Sequence, residues 1–188
     1  METDVINSQA KYAKSIGVNG FTFWHYWFGN GVQTLEKPVK ILLNNKSINI
    51  EYYFTWVNAN WTKSWVGNDK VIIFKQIYDK EDYKRHFDYL LPYFNDSRYY
   101  KINNKPVLSI NVPRSFEVST FIDIFNKLAT DNGYAGISFV APFTHTTIEQ
   151  RNLFDYLLGY PPGGLSFPFQ KRLVHRLNDI LHIRTIDY

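Results

Sequence analysis

Apolar residues recur along this chain with two periods, and the switches between them mark out its elements. Val5, Ile6, Ala10, Ala13 and Ile16 fall at helical spacing ahead of Gly17, which predicts an amphipathic helix with a glycine stop. The run "VNGFTFWHYWF" at 18–28 is rich in β-branched and aromatic residues and too continuous to keep one face in water, so it predicts a buried strand. "PVKILLNN" from Pro38 predicts a helix with proline in its tolerant first turn, and "INIEYYFTW" at 48–56 a second strand. Asp79 stands as a cap before "KEDYKRHFDYLLPYF", where Tyr83, Phe87, Leu90, Leu91 and Phe94 share a helical face. A third strand at 105–112, a helix over about 117–132 ended by Gly133, a fourth strand at 135–143 and a fifth at 154–164 complete the order.

Buried strands alternating with helices predict parallel β/α units joined by right-handed crossovers, in a single domain over 1–188. A closed eight-stranded barrel takes about 250 residues, and only five strands are counted. The chain is then either a piece of a larger barrel that starts after the first strand, or a smaller open α/β sheet. Its helical start and its tail "ILHIRTIDY" favour the piece. The expected fold class is α/β, a partial TIM-type (β/α)8 barrel of about five parallel strands with the first strand and the last ones missing. Such a sheet would be contiguous but open, with apolar edges that invite association.

Composition narrows the function classes. With 45% hydrophobic and 18% aromatic residues in 188, the chain can bury a real core, which excludes disorder. The net charge of +4 and pI near 9.1 do not single out nucleic acid, because the basic residues are scattered among 17 carboxylates. "KRLVHR" at 171–176 fits a solvated helix face, so no nucleic-acid partner is expected. The absence of cysteine excludes disulfides, zinc-thiolate sites and cysteine nucleophiles, and suits a reducing compartment. The start "METDVINSQAKYAKSIG" is acidic where a signal peptide is basic and has no long apolar run behind it. A cytoplasmic protein without stable membrane insertion is expected. No histidines and carboxylates fall at metal-ligand spacing, and "PPGG" lacks both the spacing and the lysine of a phosphate loop, so neither metal nor cofactor is expected.

The chemistry-bearing residues collect where β/α folds put their sites, at the carboxyl ends of strands. The first strand ends in Trp24, His25, Tyr26 and Trp27; the second runs into "WVNANW", with Trp56, Asn58, Asn60 and Trp61. The third ends near Asn111 and Arg114, the fourth at Thr144 and His145, and the fifth at Tyr160. Flat aromatic faces beside neutral amides and a guanidinium suit a sugar, whose CH faces stack on indole rings while amides and Arg pair with hydroxyls. The expected substrate-binding set is His25, Tyr26, Trp27, Trp56, Asn58, Asn60, Trp61, Arg114 and Tyr160, lining one cleft around a glycan or sugar.

"QAKYAKSIGVNGFTFWHYWFGN" with "LEKP", then "TWVNANWTKSW", "YLLPYFNDSRYYKINNKPVLSI" and "FDYLLGYPP" together resemble the WbsX family of polysaccharide-biosynthesis proteins, in order and up to about residue 165. That family is similar to the glycoside hydrolase family 99 endo-mannosidases. The resemblance implies a (β/α)8 barrel and glycosyltransferase or glycosidase-like activity in bacterial surface polysaccharide synthesis, of lipopolysaccharide O-antigen or capsule. The family's opening strand, with a motif like "FYLPQFHP", has no counterpart here.

Two departures from the family pattern concern the chemistry itself. Ala59 stands where the family usually has the glutamate of W-A-N-E-N-W, and Gly159 where it resembles F-D-x-x-x-E-F-P-P. Glycoside chemistry normally uses two carboxylates, and both candidates are replaced. Glu36, after the first strand, is a weak catalytic candidate that could equally interact with the next helix N-terminus; Asp69 could equally be a turn residue. Whether the chain is an enzyme stays open at this level. The alternatives are a catalytically degenerate glycan-binding barrel and a truncated fragment without function.

Overall fold

The structure, a computed structural model, describes residues 3–63 and 67–159. Its elements in chain order are α1 (Thr3–Ser15), β1 (Gly20–Gly29), β2 (Val32–Thr34), α2 (Lys37–Asn44), β3 (Glu51–Trp56), β4 (Trp61–Lys63) and β5 (Asn68–Phe74). There follow α3 (Lys80–Phe94), β6 (Lys101–Ile102), β7 (Lys105–Ile110), α4 (Val118–Asp131), β8 (Ser138–Pro142) and β9 (Tyr156–Leu158). The local signals act as the sequence suggests. Gly17 at φ +85° and Gly133 at φ +85° let the chain leave α1 and α4 through left-handed turns. The Asp79 carboxylate accepts from the Asp82 amide at 2.9 Å and caps α3.

The fold is mixed α/β with a mostly parallel sheet. β1, β3, β7, β8 and β9 pair in parallel and in sequence order along an open path. Three short pieces were not foreseen: β2 folds back antiparallel on β1, β6 on β7, and β4 with β5 forms a separate two-stranded sheet. The first two are tight hairpins. Asn30 and Gly31 (φ +51° and +76°) join β1 to β2, and Asn103 and Asn104 (φ +51° and +60°) join β6 to β7. Two successive positive φ values give the turn whose twist matches antiparallel strands, and asparagine and glycine accept it most readily. These strands are too short to show a hydrophobic period.

Buried residues of all four α-helices among the described residues belong to one cluster: Ile6 and Ala10 of α1, Leu42 of α2, Phe87 and Leu90 of α3, Phe121 and Phe125 of α4. They meet strand residues of a single face, namely Trp27, Tyr52, Phe54, Trp56, Leu108, Ile110, Phe139 and Ala141. A doubly wound sheet would divide its helices between two faces and reverse its strand order at a switch point. Sequential order with one helical layer is instead what an arc of a β/α barrel requires. Arg98 secures the amino-terminal side by donating to the carbonyls of Leu42 (2.7 Å), Asn45 (3.0 Å) and Ile48 (2.8 Å) and to Asp96 (2.7 Å). Burial alone would raise the Asp96 carboxyl, but hydrogen bonds from Arg98 and Lys46 outweigh it and hold it well below the ordinary carboxylate range. Among the described residues, no helix is long and apolar enough to cross a membrane.

Candidate functional site

The structure divides the expected sugar-binding residues into two groups that point opposite ways. His25, Trp27 and Trp56 turn into the layer between sheet and helices, with 4%, 3% and 1% of their surface exposed. His25 Nε2 meets His86 Nε2 at 2.8 Å, the Tyr89 ring stacks on His25, and Trp27 lies parallel to His86 with ring centres 5.0 Å apart. Trp27 Nε1 donates to the Asp82 carboxylate (2.8 Å), and Trp56 Nε1 donates to the Trp27 carbonyl (3.0 Å). Burial lowers the pKa of His25 to about 3 and, with the neighbouring His25, drives His86 well below its ordinary value, so both imidazoles are neutral and one donates to the other. This placement corrects the expectation of one cleft lined by all three. Consecutive residues of a strand face opposite sides, and these three carry the helix-facing parity.

The asparagines of "NAN" act as clips. Asn58 is fully buried; its amide accepts from the Val112 backbone N–H (2.8 Å) and donates to the Val112 carbonyl (2.9 Å) and Ser115 Oγ (3.0 Å). Tyr78 Oη donates to the Asn58 carbonyl at 2.6 Å. Asn60 Oδ1 accepts from the Gln76 amide at 2.7 Å, tying the exit of β3 to the return from β5. Asn58 is thus committed to joining the ends of β3 and β7, which its polarity in sequence could not distinguish from a ligand contact. Ala59 is held between the two clips, half-buried.

The second group lies on the face away from the helices. Tyr26 stacks on Trp61 with centres 5.3 Å apart and 14° between planes, and Phe28 and Phe74 continue the stack at 4.9–6.1 Å. Tyr26 and Trp61 are both half-buried, and Asn60 beside them is exposed. Gly29 makes the close crossing beneath possible: its φ is +108°, and a Cβ there would come within 2.6 Å of Ile77 Cβ. Arg114 is exposed on the short turn Pro113–Ser115, while His145 binds the Asn111 carbonyl through Nδ1 at 2.7 Å. Tyr160 lies outside the described residues, as do Trp65 and the 171–176 segment. Phe74, Gln76 and Tyr78 were overlooked because the β4–β5 hairpin was. The "GND" turn ahead of the β-branched run "KVIIF" was the signal for it.

The carboxylates at this end of the sheet are engaged with helices. Glu36 precedes α2 and pairs with Lys40 at 3.4 Å, and Asp79 caps α3. Asp82 takes the Trp27 ring N–H and the Asn30 amide (2.6 Å), and Glu117 accepts from the Ser119 amide at 3.1 Å. Asp69 lies in β5, with its side chain outside those described. Gly159 is exposed just after β9. Among the described residues, no three His, Asp or Glu side chains come together as a metal site would require.

Compared with known proteins, residues 1–182 match the WbsX glycosyltransferase family. The chain belongs to that family. Its curated relatives include "Uncharacterized protein WxcX" from two strains of Xanthomonas campestris pv. campestris, B100 and ATCC 33913, each 24% identical over 167 residues. Those matches cover 88% of this chain and 24% of each relative, so the chain spans about a quarter of their length. A solved glycoside hydrolase-like protein shares the fold with a TM-score of 0.51 at 15% identity, over 74% of this chain and 43% of the other.

Proposed function

We propose that the chain is a carbohydrate-active protein of bacterial surface-polysaccharide assembly, which holds glycan on the Tyr26–Trp61 platform at the carboxyl ends of the parallel strands. Membership of the WbsX glycosyltransferase family is the observation that carries this reading. The platform supports it chemically: two half-buried aromatic faces beside the exposed Asn60 offer CH stacking with an amide at the rim. The carboxyl ends of parallel strands are where β/α folds usually keep their sites, which favours this pair.

Catalysis by transfer or hydrolysis is the finer reading, and the residues present weigh on it. With Ala59 and Gly159 where the family pattern has acids, and the carboxylates described above bound to helix ends or ring N–H groups, binding survives more readily than turnover. Titration of the purified chain with a panel of mannose-type and related oligosaccharides tests this, followed by heteronuclear NMR. Shifts centred on Tyr26, Asn60 and Trp61, abolished by Trp61→Ala in a chain that keeps its fold, are expected. Binding unaffected by Trp61→Ala, or none across the panel, would refute the platform. In the same panel, Ala59→Glu combined with Gly159→Glu should raise any hydrolysis or transfer.

A further inference from the structure

Past the carboxyl ends of β7 and β8, basic residues are fastened to one short stretch of backbone. Three successive carbonyls there are each taken by a side chain: His145 Nδ1 donates to that of Asn111 (2.7 Å), Asn58 Nδ2 to that of Val112 (2.9 Å) and Gln150 Nε2 to that of Pro113 (3.3 Å). Asn58 also accepts from the Val112 N–H (2.8 Å), so the stretch is gripped both from β3 and from residues 143–153 after β8. These bonds decide which charges become neighbours. Arg114 follows Pro113 and Arg151 follows Gln150, so the Gln150–Pro113 bond brings the two arginines within reach of each other's long side chains.

Neither guanidinium has an anionic partner among the described residues. Arg114 is exposed and makes no ion pair. Arg151 is half-buried; its guanidinium lies over the Phe143 ring, 3.8 Å from the centre, and its Nε is buried without a hydrogen-bond partner. Stacking occupies the face of a guanidinium and leaves its N–H groups, which lie in the plane, for an acceptor. The carboxylates of this region do not provide one. Glu117 accepts from the Ser119 amide, and Glu149 acts on Arg151 through space without forming an ion pair. Arg98, equally half-buried, shows the contrast: Asp96 and three backbone carbonyls satisfy it. A buried donor left unmade is costly, so Arg151 calls for a partner that the described chain lacks.

We propose that Arg114, Arg151 and His145 form an oxyanion site, which takes the phosphate ester or the carboxylate of an acidic sugar. The guanidiniums would pair with the oxyanion oxygens. His145 keeps its Nδ1 proton on the Asn111 carbonyl, so Nε2 is the acceptor in this tautomer and would take a neighbouring sugar hydroxyl. The sugar half of the assignment rests on the carbohydrate-active reading above, and the anion half rests on the arginines alone.

The test titrates the full chain with mannose 1-phosphate, glucuronate, inorganic phosphate and neutral mannose at constant ionic strength, followed by NMR of the arginine Nε–H and backbone amide signals. Shifts at Arg114, His145 and Arg151 are expected with an acidic sugar, with a Kd at least about tenfold below that of mannose. Preference for mannose 1-phosphate over glucuronate identifies a phosphate site and the reverse a carboxylate site; either supports the proposal. Arg114→Gln, at an exposed position, and Arg151→Gln should each weaken the acidic sugar about tenfold while core amides stay protected. Trp61→Ala should leave the Kd for the acidic monosaccharide as it was, so failure of the platform and failure of this site read out separately. Equal affinity for inorganic phosphate and mannose 1-phosphate would overturn the sugar half. Equal shifts with neutral mannose, none at millimolar acidic sugar, or an affinity unchanged in both arginine variants would overturn the site.

Discussion

On the helix side of the sheet, β3 places Tyr52, Phe54 and Trp56 at no more than 1% exposure, each touching several other rings; on the opposite side β1 leaves Trp24 51% exposed. The helix side is almost wholly aromatic and aliphatic, with the histidine pair at its centre. The other side carries the hydroxyls of Thr22 and Thr55, bonded to each other at 2.9 Å, with Ser109 and Ser138 on the neighbouring strands. The same backbone thus packs rings and aliphatic chains on one face and sets hydroxyls on the other, where Thr55, Ser109 and Ser138 are also buried while Thr22 and Trp24 on β1 are exposed. The difference teaches that aromatic content alone does not locate a binding site here: one parity holds the fold together throughout, while the other ranges from the buried Phe28 to the exposed Trp24.

The largest expected effect comes from cutting into the packed face. Phe121 touches Trp56, Tyr83, Phe125 and Phe139 at no exposure, so Phe121→Ala should cost about 3–5 kcal/mol of stability in urea unfolding. A loss below about 1 kcal/mol would dissolve the distinction between the faces.

The histidine pair gives the packed face a pH dependence. Both imidazoles have folded pKa values lowered by burial, so below the unfolded value of about 6.5 the unfolded chain binds more protons than the folded one. Stability is therefore full above that pH and falls as pH drops toward about 3, the value for His25. The slope should be about 1.4 kcal/mol per pH unit for each histidine. Urea midpoints between neutral pH and mildly acid pH measure it, and the double replacement His25→Phe with His86→Leu should flatten the curve even if it lowers the plateau. An unchanged slope would mean that other groups govern acid unfolding.

Asn58 sharpens the comparison at the seam between the faces. Asn58→Ala leaves the Val112 N–H and carbonyl without their partner and should cost about 1–3 kcal/mol. Asn58→Asp keeps the acceptor but sets a buried carboxylate oxygen against the Val112 carbonyl, and should cost at least as much. Smallest of all, Trp24→Ala should move the unfolding midpoint by no more than about 0.5 kcal/mol. A larger loss would show that the exposed ring already packs against something in the free chain.

Much of the scaffold was legible because its signals are local. Gly17 and Gly133 end helices, Asp79 caps one, and continuous β-branched and aromatic runs can only be buried strands, so the first four parallel strands fall within about three residues of their expected ends; the fifth, expected over 154–164, runs Tyr156–Leu158, and 160–164 lie outside the described residues. The Asn-Gly and Asn-Asn hairpins were written just as locally and were passed over for want of a hydrophobic period. The family was legible too, through spaced motifs of aromatic and amide residues.

Which way each motif residue points was a different matter. Between His25 and Tyr26, or Trp56 and Ala59, composition is no guide: one residue of register moves a side chain from core to surface, and register is set by pairing between segments far apart in the chain. The sequence by itself determined the helices and the parallel strands, their order and the absence of acids at positions 59 and 159. Only the tertiary structure decided that His25 would face His86 in a dry layer, that Asn58 would bind Val112 and leave no amide for a sugar, and that Tyr26 and Trp61 would meet face to face. The physical reason is that each of these contacts joins residues 35 or more positions apart, and such pairs meet only when strands align and helices close over one side.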